Sequence, residues 1–196
     1  MSICHTNGMT IEEHLASRRM RSSSVILGDD CCYFLLWTLS GKMVGVQKYN
    51  PTGSKLYRGS LSREDPTKPL LKYVTYVSPG EIGVWGLETM KHTDTMVFIT
   101  EGIFDAAMIH NAGFSAIALI GNDPKPMKQW LKMLPQHKIV ITDNDKAGKL
   151  LAKYGDVSYV YEGAKDLNDG EEEDVTRFIR ETYIREYLRK HWLTPY

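Results

Sequence analysis

Six carboxylates follow apolar runs in this chain of 196 residues: Glu101 and Asp105 after residues 96–100, Asp143 and Asp145 after 139–142, and Asp166 and Asp169 after 157–161. The runs have the length and apolar content of buried strands, and helix-like segments follow the first two pairs. In a parallel α/β sheet every strand opens at its carboxyl end on the same edge, so acids far apart in sequence converge there. Carboxylates gathered in one crevice repel one another unless a cation or protons neutralise them. Mg²⁺, or Mn²⁺ in its place, is the expected partner of such hard oxygen ligands. Asp143 and Asp145 are spaced to reach one cation from a single loop, with Gly148 allowing an unusual backbone angle. Gly102, behind Glu101, allows a tight turn into a helix, although an acid there could serve only the helix dipole. The stretch Asp-Asn-Asp-Lys-Ala-Gly is not an EF-hand, which would need an oxygen ligand at Ala147 and a Glu at Tyr154.

Positioning these acids requires a strand-and-helix scaffold, and the sequence supplies one after about residue 93. Strands are expected at 96–100, 116–120, 139–142 and 157–161, alternating with helices at 104–112, 127–134 and 146–154. The expected fold class is therefore α/β, a parallel sheet with flanking helices over residues 93–170. Residues 171–196 add a long helix from about 171 to 189, with Glu171 to Asp174 suiting its positive end. Its stripe of Val175, Phe178, Ile179, Tyr183, Ile184, Tyr187 and Leu188 is expected to pack on that sheet domain. Upstream, residues 29–92 read as a small β-rich lobe, with strands at 31–37, 43–49 and 73–77 and a hairpin loop at 38–42. Residues 1–28 read as an approach segment with a short helix, 11–20, capped by Thr10.

Lys and Arg total 24 and Asp and Glu total 24, so the formal net charge is zero, but the distribution is uneven. Lys42, Lys48, Lys55, Arg58, Arg63, Lys68 and Lys72 outnumber Glu64 and Asp65 in the β-rich lobe, whereas residues 156–174 are acidic. A basic lobe accompanying a metal-loaded crevice suits a phosphate-bearing polymer; the alternative is an ordinary solvated face. Tyr49, Tyr57 and Tyr73 interleave with the cations, as aromatic platforms or as core. Cys4, Cys31 and Cys32 lack zinc-ligand spacing, and the latter two should point to opposite faces of a strand. Neither a secretory leader nor a run of membrane-spanning length is visible, so a cytoplasmic protein without a membrane partner is expected.

Three segments resemble the signatures of the Toprim domain of topoisomerases and bacterial-type primases: Thr-Glu-Gly-Ile-Phe-Asp-Ala at 100–106, Thr-Asp-Asn-Asp-Lys-Ala-Gly at 142–148 and Lys-Asp-Leu-Asn-Asp at 165–169. Residues 72–79, Lys-Tyr-Val-Thr-Tyr-Val-Ser-Pro, followed by Trp85-Gly-Leu87, are similar to the end of the amino-terminal lobe in the primase branch, with extra residues between Tyr73 and Ser78. The resemblance implies a DNA primase catalytic core of bacterial or phage type, making short RNA primers on single-stranded DNA from ribonucleoside triphosphates. It implies Glu101 as acid/base or metal ligand, Asp143, Asp145 and Asp166 as metal ligands, and Asp169 where relatives often carry a further acid. Asp105, Lys165, Gly102, Gly121 and Gly148 would support the site. Lys42, Lys48, Lys55, Arg58 and Lys72 are the residues expected to hold template or nucleotide. The chain shows neither a zinc module nor a P-loop, so a replicative helicase or a separate template-recognition subunit is the expected partner. The rival readings are a Toprim-type metal-dependent nuclease and a non-catalytic, nucleic-acid-binding replication accessory protein.

Overall fold

The computed structural model describes residues 8–21, 25–38, 40–54, 70–91, 93–120, 127–143 and 146–192, without the side chains of 146 and 147. The chain divides into two compact units, Met1–Trp85 and Gly86–Tyr196, so residues 86–92, grouped with the β-rich lobe by the sequence reading, belong to the second.

The first unit opens with α1 (Ile11–Ser17), which buries Ile11 and Leu15. Thr10 caps it through a capping box: its hydroxyl accepts the Glu13 N–H at 3.2 Å, and the Glu13 carboxylate accepts the Thr10 N–H at 2.7 Å. The helix stops short of the expected residue 20 because Arg19 turns left-handed (φ 56°), and Met20 and Arg19 donate back to the carbonyls of Leu15 and Ala16. Removing the cap hydroxyl in Thr10→Ala is expected to cost about 1 kcal/mol, read as a lower urea midpoint at unchanged slope.

Four antiparallel strands follow in the order β1 (Val25–Leu27), β2 (Cys32–Trp37), β3 (Met43–Tyr49) and β4 (Tyr73–Val77). β2, β3 and β4 fall where alternation places them, with β2 starting one residue later than expected. β1 corrects the reading of 25–28 as approach segment, since Val25 pairs with Phe34; three residues are too few to show a period. One face carries Cys32, Phe34, Leu36 and Tyr49 into a core with Val84 and Trp85, all fully buried. The register shifts between Leu36, opposite Gly45, and Trp37, opposite Met43, leaving Val44 as the extra residue of a bulge.

The second unit alternates β5 (Met96–Thr100), α2 (Ile103–Asn111), β6 (Ala116–Ala118), α3 (Lys128–Met133), β7 (His137–Thr142), α4 (Lys146–Leu151), β8 (Val157–Val160) and α5 (Glu172–Trp192). Its four described strands are all parallel, in the order β6-β5-β7-β8. β5 is buried along its whole length, as a central parallel strand covered on both faces must be. From β5 the chain crosses through α2 to β6 on one side; from neighbouring β7 it crosses through α4 to β8 on the other. Adjacent strands whose connections diverge leave a crevice at their carboxyl ends, where open α/β sheets place their sites.

The long helix α5 packs on α2 with the first part of the expected stripe and without its last residues. Its buried residues are Val175, Ile179, Thr182 and Glu186, while Ile184, Tyr187 and Leu188 are exposed. Glu186 is buried because His137, at the start of β7, and Tyr159, in β8, offer donors to its carboxylate. Tyr183 fulfils its part, its ring tilted against that of Phe114 with centres 4.6 Å apart. None of the described helices is long and apolar enough to cross a membrane.

Candidate active site

Glu101 directly follows β5 and Asp143 directly follows β7, so the two acids stand on either side of the divergence between those strands. One crevice there is walled by Glu101, Asp105, Thr142, Asp143, Gly148, Tyr161, Lys165 and Asp166, over an apolar floor of Ile141, Leu151 and Leu167. Residues from all three acidic segments thus meet in one place.

Local hydrogen bonding fixes each segment. The buried Thr100 hydroxyl donates to the Gly102 carbonyl at 2.9 Å and closes the turn that presents Glu101. Beyond β6 the chain stays zipped to this turn, Leu119 N–H to Thr100 carbonyl at 3.0 Å and Ile120 N–H to Glu101 carbonyl at 2.9 Å. The second bond holds Ile120 at φ 51°, a left-handed conformation that a β-branched side chain adopts only under strain. Asp105, in the first turn of α2, accepts the Asn168 N–H at 3.3 Å and so ties the first acidic segment to the third. Asp166 accepts the Asp169 N–H at 2.9 Å, capping the 3-10 turn Leu167–Asp169.

Gly148, in α4, is held against Asp143. A Cβ there would overlap the Asp143 carbonyl oxygen and meet Thr142 Cβ at 3.0 Å. Backbone cannot swing aside as a flexible side chain can, so Gly148→Ala is expected to cost about 1–3 kcal/mol, measured as a fall in the urea midpoint.

Among the other expected site residues, Asp169 is exposed and contributes its N–H to Asp166, not its carboxylate to the wall. Asp145 and Gly121 lie outside the described residues. Tyr161 is a wall residue that lies one position past the end of β8, where a strand is expected through residue 161. Its ring lies against Gly163 and Gly170, where a Cβ would overlap it or press on it, and 5.3 Å from the Phe178 ring. The two glycines bracketing the acidic segment were the available signal.

In the first unit, Lys42 is exposed and pairs with Glu81 at 2.9 Å. Lys48 lies 5.9 Å from the centre of the Tyr33 ring, and Lys72 lies 5.8 Å from that of Tyr49. Lys55, Arg58 and Tyr57 fall outside the described residues. Tyr49 is no platform: it is fully buried, its hydroxyl is bonded to His14 Nε2 at 2.8 Å, and burial holds that hydroxyl well above the usual tyrosine range. Tyr73, opposite it, is partly exposed.

Among the described residues no three His, Cys, Asp or Glu side chains form a ready-made metal cage. The wall nevertheless offers carboxylate oxygen and no sulfur, the donor chemistry of a hard cation. Mg²⁺ characteristically takes one or two carboxylates and fills its octahedron with water and substrate phosphates, so the set fits that ion.

Solved structures that share this architecture are primase cores. The primase fragment of the bacteriophage T7 primase-helicase aligns with 93% of this chain and 74% of its own, at TM-score 0.56 and 14% identity. The RNA polymerase domain of Mycobacterium tuberculosis primase DnaG aligns with 91% of this chain and 63% of its own, at TM-score 0.54 and 17% identity. The fold is that of a primase catalytic core. The Aquifex aeolicus primase, with zinc-binding and RNA polymerase domains, shares it over 92% of this chain at TM-score 0.52 and 17% identity, and this chain spans 49% of that one. No protein-family model and no curated protein sequence matches the chain.

Proposed function

We propose that this primase-like chain is an active DNA primase core, joining ribonucleotides on single-stranded DNA by metal-assisted nucleotidyl transfer in a Toprim domain. The observation that carries the reading is the meeting of Glu101, Asp143 and Asp166 at the divergence of β5 and β7, in a fold shared with primase catalytic cores. Primer synthesis requires a 3′ hydroxyl to attack an α-phosphate in line, with pyrophosphate leaving. Bound Mg²⁺ or Mn²⁺ supplies the acidification of that hydroxyl and the neutralisation of the phosphates. In this reading Asp143, Asp145 and Asp166 hold the ions, and Glu101 takes the proton of the attacking hydroxyl or serves as a further ligand. Asp105 positions the acidic segments through Asn168. Lys165, exposed at the rim, provides positive charge for the triphosphate. Lys48 and Lys72, with Lys42, Lys55 and Arg58, hold template or nucleotide.

The T7 relative is part of a primase-helicase, and a replicative helicase or a template-recognition subunit is the proposed partner here. The test is pyrophosphate release from ribonucleoside triphosphates with Mg²⁺ or Mn²⁺, with and without unprimed single-stranded DNA. Release that requires both metal and DNA is expected. A cut template with no release would replace the reading by a nuclease.

A further inference from the structure

The antiparallel sheet of the first unit has one face in its core and one outside. Residues paired across strands share a face, so the register reads out the outer one. Ile26, Tyr33, Lys48 and Val74 form one row across all four strands, and Leu35, Val46 and Tyr76 form the next. None of the seven is buried: Ile26 is 52% and Tyr76 42% exposed, and the others are intermediate. The bulge at Val44 produces this arrangement, turning Val44 into the core while Val46 and Lys48 face outward. The face thus holds two phenol rings, four aliphatic side chains and one cation, with no acid among them.

We propose that this face is a stacking platform for single-stranded nucleic acid, with bases on Tyr33 and Tyr76 and backbone phosphate at Lys48. Its assignment to template rests on the primase reading. Its chemistry stands on the face itself: flat rings accept any base, and a lone ammonium set among apolar groups complements a polyanion. Lys48, directly opposite Tyr33 and within 5.9 Å of its ring centre, can bind a phosphate of a base stacked there. The phenols stand two strands and one row apart, about 12 Å by strand spacing and rise, so they engage separate bases. The acidic turn of Asp29 and Asp30 between β1 and β2 repels phosphate at that margin and favours a path toward β4.

The experiment measures fluorescence anisotropy of a labelled oligothymidylate with the full chain, across a salt series. Tyr76→Leu, Tyr33→Leu and their double variant should each weaken binding, by roughly 5- to 150-fold per ring removed. Tyr76→Phe should bind as wild type, because it keeps the ring. Lys48→Gln should lower the slope of log affinity against log salt by about one. The proposal is overturned if the double variant, folded by circular dichroism, binds as tightly as wild type, or if wild type does not bind at all. It is equally overturned if the double substitution abolishes self-association in sedimentation and leaves DNA binding intact, since the face would then dock a second copy. Wild type that binds through the tyrosines yet makes no RNA would sink the primase reading and leave the platform standing. RNA synthesis with an unchanged template requirement in the double variant would do the reverse.

Discussion

Asp143→Ala is expected to reduce ribonucleotide incorporation at least about 100-fold while the protein unfolds at the wild-type temperature. The magnitude is that of removing one fixed group that stabilises charge in a transition state. Asp143 stands just past the carboxyl end of β7, and its side chain is exposed, so truncation opens no cavity. Its backbone, not its carboxylate, is what packs against Gly148. The two effects should therefore separate: loss of activity from Asp143→Ala, loss of stability from Gly148→Ala. Asp145→Ala, two residues on, is expected to behave as Asp143→Ala does. The check is incorporation under saturating nucleotide, paired with a thermal melt. Near-normal activity in a folded Asp143→Ala protein would remove Asp143 from the site.

The second large effect lies where α5 meets β7 and β8 of the same sheet. Glu186, only 2% exposed, accepts the Tyr159 hydroxyl at 2.5 Å, His137 Nε2 at 3.0 Å and Arg189 Nε at 2.9 Å. Glu186→Ala would remove the acceptor of His137 Nε2, on a side chain 15% exposed, and of the hydroxyl of the half-buried Tyr159. Breaking a buried charged network costs about 3–5 kcal/mol, and the half-exposed Arg189 places this case near about 3. At about 2–4 °C per kcal/mol for a chain of this size, the melting temperature should fall by roughly 10 °C. Burial acts to raise the Glu186 pKa, but the hydrogen bonds from Tyr159, His137 and Arg189 outweigh it and hold the carboxyl below the ordinary glutamate range. A depressed folded-state pKa gives stability that is complete above the unfolded value, about 4.3, and is lost as pH falls through the folded one. Glu186→Gln should flatten that part of the acid-stability profile. A melting temperature unchanged in Glu186→Ala would show that the network is solvated in solution.

Glu101 and Asp143 were legible because each directly follows an apolar run, and in a parallel sheet the end of a run is a place. The strand order, and with it the divergence between β5 and β7, was not legible from runs alone: it depends on which neighbour each strand pairs with. Helix α5 misled for a related reason. Its apolar spacing points to Ile184, Tyr187 and Leu188, but those three are exposed, and Glu186 turns inward to donors from His137 and Tyr159. Tyr49 stayed open between platform and core because alternation names two faces without saying which is the core. The bulge at Val44 compounds this, since it places Val44 and Val46 on opposite faces despite their even spacing. The outer row of Tyr33, Lys48 and Tyr76 becomes visible only with the register.

The most direct test of the central claim is the sequence of what the protein makes. Two unprimed single-stranded DNAs of different sequence are each incubated with the chain, the four ribonucleoside triphosphates and Mn²⁺, and the products are sequenced. The account predicts short RNAs complementary to whichever template was supplied, absent with Asp143→Ala. Products unrelated to the template, or fragments of the template itself, would contradict it.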